Sequence, residues 1–381
     1  MTPQDLKDWC AQTALPLWQA HGLDHVSGGY FELLDADLQP VIRPKRARLT
    51  ARQIYCFTQA PALGAGAMQA EAAHGLDYLL GSLVTNDKVI SARHPDGRVA
   101  RLGPDLYDDA FALLALAAVA DHAPDAGYEA QARAIAERMI QTRGRADGGF
   151  SDDGTHIHAN PLMHLLEAGL AWVEQSDDAD GFWWRFCARL VRVALTGLIQ
   201  GDSGILPEDF DLAYRPLPRN ERVQVEPGHL FEWAWLLLRW SVLAGDEAAF
   251  ASAQRLATTA QTHGIAPDGI IHEALDGDLR PRDTSARLWP QTERAKYWHA
   301  IAHHPATSPA RKAQAEAQRA LALDALARFL DGPRAGLWFE TREADGTFRR
   351  EPTRASSLYH IICAARVLDS DTVTKGRRSD T

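Results

Sequence analysis

The sequence predicts an all-α fold in which six helical hairpins form an (α/α)6 barrel. A short unit, in which glycine precedes an extended stretch and a turn, recurs six times along the chain. A strongly apolar segment follows each copy, and amphipathic segments lie between the apolar ones. Six buried helices that alternate with amphipathic helices, at roughly 60 residues per pair, can close into a ring with the apolar helices inside.

The recurring unit carries alternating apolar and polar residues around a turn sequence such as DG or DAD. These turn residues tolerate the backbone angles of tight turns, so each unit is predicted to form a short β-hairpin-like loop at the end of the barrel that carries the site. The six copies are GGYFELLDADLQP from Gly28, VISARHPDGRVAR from Val89, GGFSDDGTHI from Gly148, GILPEDFDLAYRP from Gly204, GIIHEALDGDLRP from Gly269 and GLWFETREADGTFRR from Gly336.

Each apolar segment opens with a polar cluster and is too apolar on all sides for a surface helix, which predicts a buried inner helix. In chain order these segments are RLTARQIYCFTQA, GPDLYDDAFALLALAAVAD, HANPLMHLLEAGLAWVEQ, EPGHLFEWAWLLLRWSVLAG, RLWPQTERAKYWHAIAH and TRASSLYHIICAARVL. Charges at helical spacing over residues 128–143 and 310–330 predict outer helices. We expect residues 1–371 to form a single barrel domain, followed by a polar C-terminal tail at 372–381.

The chain has 381 residues, 46% hydrophobic and 24% charged, which excludes a disordered, collagen-like or coiled-coil protein. Its net charge of -10 argues against broad electrostatic binding to nucleic acid or an anionic membrane. The start MTPQDLKDWC lacks the pattern of a secretory leader, and the apolar stretch 111–120 is too short to span a bilayer. We therefore expect a cytoplasmic monomer or homodimer whose partner is a small molecule.

Reactive side chains fall at or near the starts of the predicted inner helices. In a closed barrel these starts converge on one end of the axis, where helix dipoles favour developing negative charge. A pocket there would combine histidines, an arginine, carboxylates and aromatic faces. The residues are Arg52, Tyr107 with Asp108 and Asp109, Asn160 with His164, His229 with Glu232, Trp289 with Gln291 and Glu293, and His360.

Two histidines have a glutamate three residues later on a predicted helix, namely His164 with Glu167 and His229 with Glu232. Each pair can share a helix face, so a carboxylate could hold the imidazole in one tautomer for acid–base chemistry. Paired His and Glu also build di-metal sites in helical bundles. Here the order is His-x-x-Glu rather than Glu-x-x-His, and we predict no metal.

Paired carboxylates allow a second interpretation, a glycosidase in which Asp108 or Asp109 faces Glu232 across a sugar. Alternatively, the acidic pair caps its own helix. The basic run RPKRAR at 43–48 could contact a phosphate or sulfonate, or it could simply be solvated.

The segments TARQIYCF, LYDDAFALLALA, NPLMHLLEA, EPGHLFEWAWLL, LWPQTERAKYW and SSLYHI together resemble the N-acylglucosamine 2-epimerase superfamily. The resemblance covers nearly the whole chain in the right order. Members are (α/α)6 barrels that act on sugars, so it implies a sugar epimerase or an aldose–ketose isomerase. It also implies that the enzyme needs no metal or redox cofactor.

Within the superfamily, the chain is most similar to the branch of mannose isomerase and sulfoquinovose isomerase. The resemblance assigns His229 and His360 as the acid–base pair. Glu232 would orient His229, and His164 would assist ring opening or bind the open-chain oxygens. The implied substrate-binding residues are Arg52, Tyr107, Asn160 and Trp289.

The expected chemistry begins with removal of the C2 proton from an open-chain aldose, which gives a cis-enediolate. Return of the proton to C1 gives a ketose, whereas return to the other face of C2 gives the epimer. The predicted function is a cofactor-independent aldose–ketose isomerase of the mannose–fructose type. The alternatives are a sugar 2-epimerase of the N-acylglucosamine, mannose/glucose or cellobiose type and, more distantly, an (α/α)6 glycosidase or a non-enzymatic binding protein.

Overall fold

The apolar and amphipathic segments of the chain form alternating helices in the computed structural model, which describes residues 1–103 and 105–374. The α-helices are α1 Pro3–Trp9, α2 Leu15–His21, α3 Ala47–Leu63, α4 Gln69–Tyr78, α5 Leu106–Ala120, α6 Tyr128–Arg143, α7 Ala159–Gln175, α8 Phe182–Val193, α9 Pro227–Ala244, α10 Glu247–His263, α11 Trp289–His303, α12 Pro309–Leu330 and α13 Ala355–Leu368. A π-helical turn, Cys10–Ala14, joins α1 to α2, and similar turns extend α4 and α8.

Helices α3, α5, α7, α9, α11 and α13 form the inner ring. Each packs against the next, and α13 packs against α3, which closes the ring. Helices α4, α6, α8, α10 and α12 each pack outside the inner helix that precedes them, while α1 packs outside α13. The predicted (α/α)6 barrel is therefore confirmed, and its six inner helices are the six segments identified from the sequence.

Short antiparallel strands occupy the loops that precede the inner helices. They are β1 Leu33–Leu34, β2 Lys45–Arg46, β3 Val84–Thr85, β4 Lys88–Val89, β5 Ala92–Arg93, β6 Val99–Arg101, β7 His156–His158, β8 Asp209–Asp211, β9 Pro218–Arg219, β10 Arg222–Val225, β11 Ala274–Asp276, β12 Pro281–Asp283, β13 Ala286–Arg287, β14 Thr341–Arg342 and β15 Thr353–Arg354.

Most of these strands tie neighbouring loops together, as in the pairs β2–β5, β7–β8, β10–β11 and β13–β14. Strand β1 pairs with β15, with Leu33 opposite Arg354, so the first loop is joined to the last. The loops thus form a second ring above the helical one. This second ring holds the N-terminal ends of the inner helices in place.

The inner helices are buried on nearly every side because their sequences are apolar all round. In α5, every residue from Asp108 to Ala120 is buried. The helix cap is Asp105, whose side chain accepts the Tyr107 backbone N–H at 3.0 Å. Asp108 and Asp109 therefore do not cap α5, in contrast to the sequence expectation.

The end of the barrel opposite the loops receives the chain after α13. Of the predicted tail, residues 372–374 are described, and the Thr374 hydroxyl donates to Glu174 Oε1 at 2.6 Å. Residues 375–381 lie outside the described residues. Within residues 1–103 and 105–374, none of the helices combines the length and apolar character that crossing a bilayer requires.

Candidate active site

The N-terminal ends of the inner helices surround a cavity of about 430 Å³, a volume typical of small-molecule sites. All six inner helices contribute a side chain to its wall. The eight residues to which the sequence analysis assigned roles all line this one cavity: Arg52 of α3, Tyr107 of α5, Asn160 and His164 of α7, His229 and Glu232 of α9, Trp289 of α11 and His360 of α13.

His229 lies in the first turn of α9 and is paired with carboxylates from the chain before that helix. Its Nδ1 atom is 2.9 Å from Glu208 Oε2 and 3.5 Å from Glu226 Oε2. Burial lowers the pKa of His229, but Glu208 and Glu226 outweigh this effect and raise it to about 10. His229 is therefore an imidazolium at neutral pH.

The predicted pairing of His229 with Glu232 is wrong. The ring of His229 points out of the first helical turn toward the loop, and Glu208 occupies its Nδ1 side. Glu232 lies one turn deeper and is almost completely buried. Neither of its carboxylate oxygens has a hydrogen-bond partner within the described part of the chain.

Burial, reinforced by the neighbouring Glu293, raises the pKa of Glu232 well above its usual range. Burial and Glu293 therefore favour the protonated form of Glu232. It lines the cavity, with Oε1 3.8 Å from His164 Nδ1. A neutral acid in this place can both donate and accept a proton.

His360 has the opposite electrostatic environment. Its Nδ1 atom is 2.9 Å from Glu293 Oε1, and Glu293 in turn forms an ion pair with Lys296. Burial, together with the positive charges of Arg52 and Lys296, lowers the pKa of His360 well below its usual value. With a proton on Nδ1 donated to Glu293, His360 is a neutral imidazole whose Nε2 atom can accept a proton.

His164 pairs with Glu167 as its spacing predicts, with Nδ1 3.0 Å from Glu167 Oε2. The other oxygen of Glu167 accepts the Tyr359 hydroxyl at 2.5 Å. Burial lowers the pKa of His164 to about 4, although Glu167 opposes the change. The cavity therefore contains two neutral histidines and one protonated histidine.

The remaining predicted residues offer contacts to a polar ligand. Arg52 Nη2 donates to the Tyr107 hydroxyl at 2.7 Å, whereas its buried Nε has no partner among the described residues. The Asn160 side-chain oxygen is likewise unpaired within that part of the chain. Trp289 lies between two of the imidazoles, with its ring tilted by 34° to His229 and 39° to His360 and ring centroids 4.9 Å and 5.6 Å away.

Residues 29–364 match the sequence family described as N-acylglucosamine 2-epimerase (GlcNAc 2-epimerase). The chain belongs to this family. A mannose-6-phosphate isomerase of Rhizobium meliloti (strain 1021) is 36% identical and spans 96% of both chains. A crystal structure of D-mannose isomerase shares the fold with a TM-score of 0.83 at 15% identity, covering 96% of both chains.

A third comparison is the structure of cellobiose 2-epimerase from Bacillus thermoamylovorans B4167, with a TM-score of 0.81 at 17% identity. It covers 96% of this chain and 98% of the other. The family and its named relatives are sugar isomerases and epimerases. This family member is therefore an enzyme of the isomerase class that acts on a sugar.

Loop carboxylates and an arginine that the sequence analysis did not identify lie in or beside the cavity. Glu208 and Glu226 hold His229, and Arg287 pairs with Glu226 at 3.3 Å and with Glu273. Glu208 belongs to the recurring loop unit that begins at Gly204, so the repeat pattern could have identified the segment that contains it. Only the loop pairing reveals that its carboxylate reaches α9.

Four sequence candidates do not line the cavity, namely Asp108, Asp109, Gln291 and Glu293. Asp108 forms an ion pair with Arg48, with 2.7 Å between Oδ1 and Nε, and Asp109 forms one with Arg143. Neither carboxylate faces Glu232, which removes the pair on which the glycosidase interpretation depends. Gln291 instead accepts the Ile271 backbone N–H and is structural.

The basic run 43–48 is largely neutralised by carboxylates. Lys45 is 2.6 Å from Asp24, and Arg46 is paired with Glu32. Arg48 forms an ion pair with Asp108, as described above. The run is therefore mainly a set of loop-fixing ion pairs at the rim of the barrel.

Among the residues that the structure describes, three groups of side chains bring possible metal donors within 4.8 Å of one another. They are His164 with Glu167 and Glu232, Glu208 with Glu226 and His229, and Glu232 with Glu293 and His360. Each group consists largely of the histidine–carboxylate pairs just described. The expectation that no metal takes part stays a prediction, and chelation tests it.

Proposed function

We propose that this enzyme interconverts mannose and fructose as a cofactor-independent aldose–ketose isomerase that works through a cis-enediolate. The observation that carries the proposal is the opposite charge state of two histidines on one cavity. His360 is neutral and can take a proton, while His229 is protonated and can give one. Environments that push the pKa values of paired groups apart are the usual basis of acid–base assignments.

His360 is the base in this mechanism. Glu293 accepts the Nδ1 proton, so Nε2 removes the C2 proton of the open-chain aldose. The C2–H bonding electrons form the C1=C2 double bond, and the carbonyl electrons move onto O1. His360 then returns the same proton to C1.

Conversion to the ketose also requires O1 to gain a proton and O2 to lose one. Glu232 is suited to this exchange because it lines the cavity and its raised pKa favours the protonated acid. It donates its proton to O1 and accepts the proton of the O2 hydroxyl. The atoms balance, and Glu232 ends in its starting state.

The cavity supplies positive charge for the enediolate. Arg52 lines the cavity, and charge-assisted hydrogen bonds from a guanidinium are among the stronger ones in proteins. In ring opening, the His229 imidazolium donates its proton to the ring oxygen while neutral His164 accepts the proton of the anomeric hydroxyl. Exchange with solvent then returns both histidines to their starting states, so that His229 is again an imidazolium when the enediolate forms and stabilises its negative charge. Asn160 and neutral His164 bind substrate hydroxyl groups, and Trp289 packs against the carbon face of the sugar.

A 2-epimerase is the second candidate, and the protonation states are compatible with it. His229 would then deliver its proton to the opposite face of C2. The isomerase is favoured because the relative at 36% identity is named mannose-6-phosphate isomerase and spans nearly the whole chain. The epimerase neighbour, at 17% identity, shares the fold alone.

The test incubates the purified protein with mannose, mannose 6-phosphate, N-acetylglucosamine and cellobiose and follows the products by NMR. We expect mannose to give fructose, and the phosphorylated sugar shows whether the enzyme prefers an anionic group. A dominant C2 epimer contradicts the isomerase, and hydrolysis of cellobiose contradicts the whole class. The variant His360→Gln serves as the inactive control.

A further inference from the structure

Lys296 is a completely buried cation in the barrel interior, two helical turns beyond Trp289 on α11. Its Nζ atom is 2.6 Å from Glu293 Oε2 and 3.7 Å from Cys363 Sγ. It also lies 3.8 Å from the ring centroid of Trp235, within the range of a cation–π contact. Lys296 does not line the cavity, so it affects a bound sugar only through other groups.

Buried ion pairs are a poor source of stability, because well-packed apolar side chains of similar volume are often as stable or more stable. The position of Lys296 is better explained by the charges around it. Several titratable or charged groups face Lys296 or His360 from the packed helices. They are Glu293 of α11, Glu232 of α9, Glu167 and His164 of α7, Cys363 and Tyr359 of α13, and Arg52 of α3.

Three of these groups are carboxylates, and Lys296 is the cation that acts on all three. Its nearest partner, Glu293, is also the carboxylate that holds His360 Nδ1. Lys296, Glu293 and His360 therefore form a continuous chain from the barrel interior to the cavity. A change at one end of this chain must reach the imidazole at the other.

We propose that Lys296 is a positioning residue whose ammonium keeps Glu293 ionised, so that Glu293 fixes His360 in the tautomer with its Nε2 free to accept the substrate proton. Burial raises the pKa of Glu293, and Lys296 opposes that rise. Without the ammonium, Glu293 takes up a proton beside Glu232 and Glu167. A protonated Glu293 donates to Nδ1, which moves the imidazole proton to Nε2 and blocks the base.

The first experiment measures the tautomer of His360 without substrate, by ¹⁵N NMR of histidine-labelled protein with His360→Gln used for assignment. In the wild type we expect the proton on Nδ1. In Lys296→Met we expect a shift toward the Nε2–H form, and in Lys296→Arg the wild-type pattern. The same tautomer in wild type and Lys296→Met overturns the proposal.

The second experiment measures kcat and KM for isomerisation over a range of pH, and it rests on the proposed function. Lys296→Met should lower kcat by roughly 10–100-fold with KM little changed, by analogy with the loss of an outer partner that orients a metal-bound histidine. The acid limit of kcat/KM should move to higher pH, because loss of the ammonium raises the pKa of both Glu293 and His360. Lys296→Arg should restore both values.

A matched control is Arg294→Met, which removes another buried cation from α11. Arg294 points to the outer layer, where it donates to the Gly269 carbonyl at 2.9 Å. Its loss should leave the acid limit in place. An equal shift in Arg294→Met contradicts the specific role of Lys296.

The double variant Glu293→Gln/Lys296→Met separates a role through Glu293 from a general structural one. If Lys296 acts through Glu293, removing the ammonium from Glu293→Gln should cause little further loss of kcat. Additive losses of kcat contradict a role of Lys296 that acts through Glu293 on His360. Should the wild type prove inactive on every sugar, the proposed function fails, while the NMR experiment still decides the role of Lys296.

Discussion

Replacing Glu208 with glutamine should lower the pKa of His229 and move the alkaline limit of activity to lower pH. The carboxylate lies 2.9 Å from His229 Nδ1, and Glu226 at 3.5 Å remains as a weaker partner. Since one nearby opposite charge shifts a pKa by about 1–3 pH units, the value should fall from about 10 to about 7–9. His229 acts as an acid, so activity is present below its pKa and is lost as the pH rises through it.

The assay is kcat/KM for mannose isomerisation as a function of pH in the wild type and in Glu208→Gln. The matched control is Glu174→Gln, which removes a carboxylate paired with Arg239 at the opposite end of the barrel. We expect the alkaline limit to move only in Glu208→Gln, while the acid limit stays unchanged. An unmoved alkaline limit, or an equal shift in the control, refutes the assignment of His229 as the protonated acid.

Three further predictions follow from the same geometry. His360→Gln should lower kcat by about 10²–10⁴-fold with an unchanged circular dichroism spectrum, and near-normal turnover would remove His360 from the mechanism. Activity should survive extended treatment with EDTA, whereas loss that Mn²⁺ or Zn²⁺ restores would show that the His–carboxylate groups bind a metal. Trp172→Ala should cost about 3–5 kcal/mol in urea unfolding, because the buried indole joins α7 to α5 through the Leu113 carbonyl; a loss below about 1 kcal/mol contradicts this.

The fold could be predicted from the sequence because each repeat contains recognisable sequence features for its loop and its inner helix. A short loop with a turn sequence, a polar cluster and an apolar run mark every inner helix, and the predicted outer helix at residues 128–143 has the bounds of α6. The polar clusters also predicted that eight side chains would meet at one end of the barrel, and they line one cavity because helix starts in a closed ring must converge. Their roles stay a prediction. Local periodicity carries this information because each hairpin contacts mainly its neighbours.

The pairing inside the site was predictable only where both partners lie on one helix. His164 and Glu167 form the expected pair, but His229 is held by Glu208, 21 residues earlier. That contact depends on strand β10, which brings Glu208 beside the start of α9 through the bond from the Glu208 N–H to the Gln224 carbonyl. The spacing of residues along a helix cannot predict a hydrogen bond between two loop segments.

The charge states of the two histidines could not be predicted from the sequence, for a different reason. His229 and His360 are both buried histidines with a carboxylate on Nδ1, yet their pKa values move in opposite directions. Two carboxylates surround His229, whereas Arg52 and Lys296 add positive charge near His360. The sign of each shift is therefore a property of the packed barrel.

Isotope transfer from mannose in D2O tests directly whether His360 carries the C2 proton to C1. If His360 removes the C2 proton and returns it to C1, fructose should be the dominant product. The shielded His360 imidazole should exchange its proton with solvent in only some turnovers. Deuterium should therefore appear at C1 in only a fraction of the fructose, and the rest should keep the original C2 proton at C1. Predominantly C2-deuterated glucose, with fructose only a trace, would contradict the account and make the enzyme a 2-epimerase.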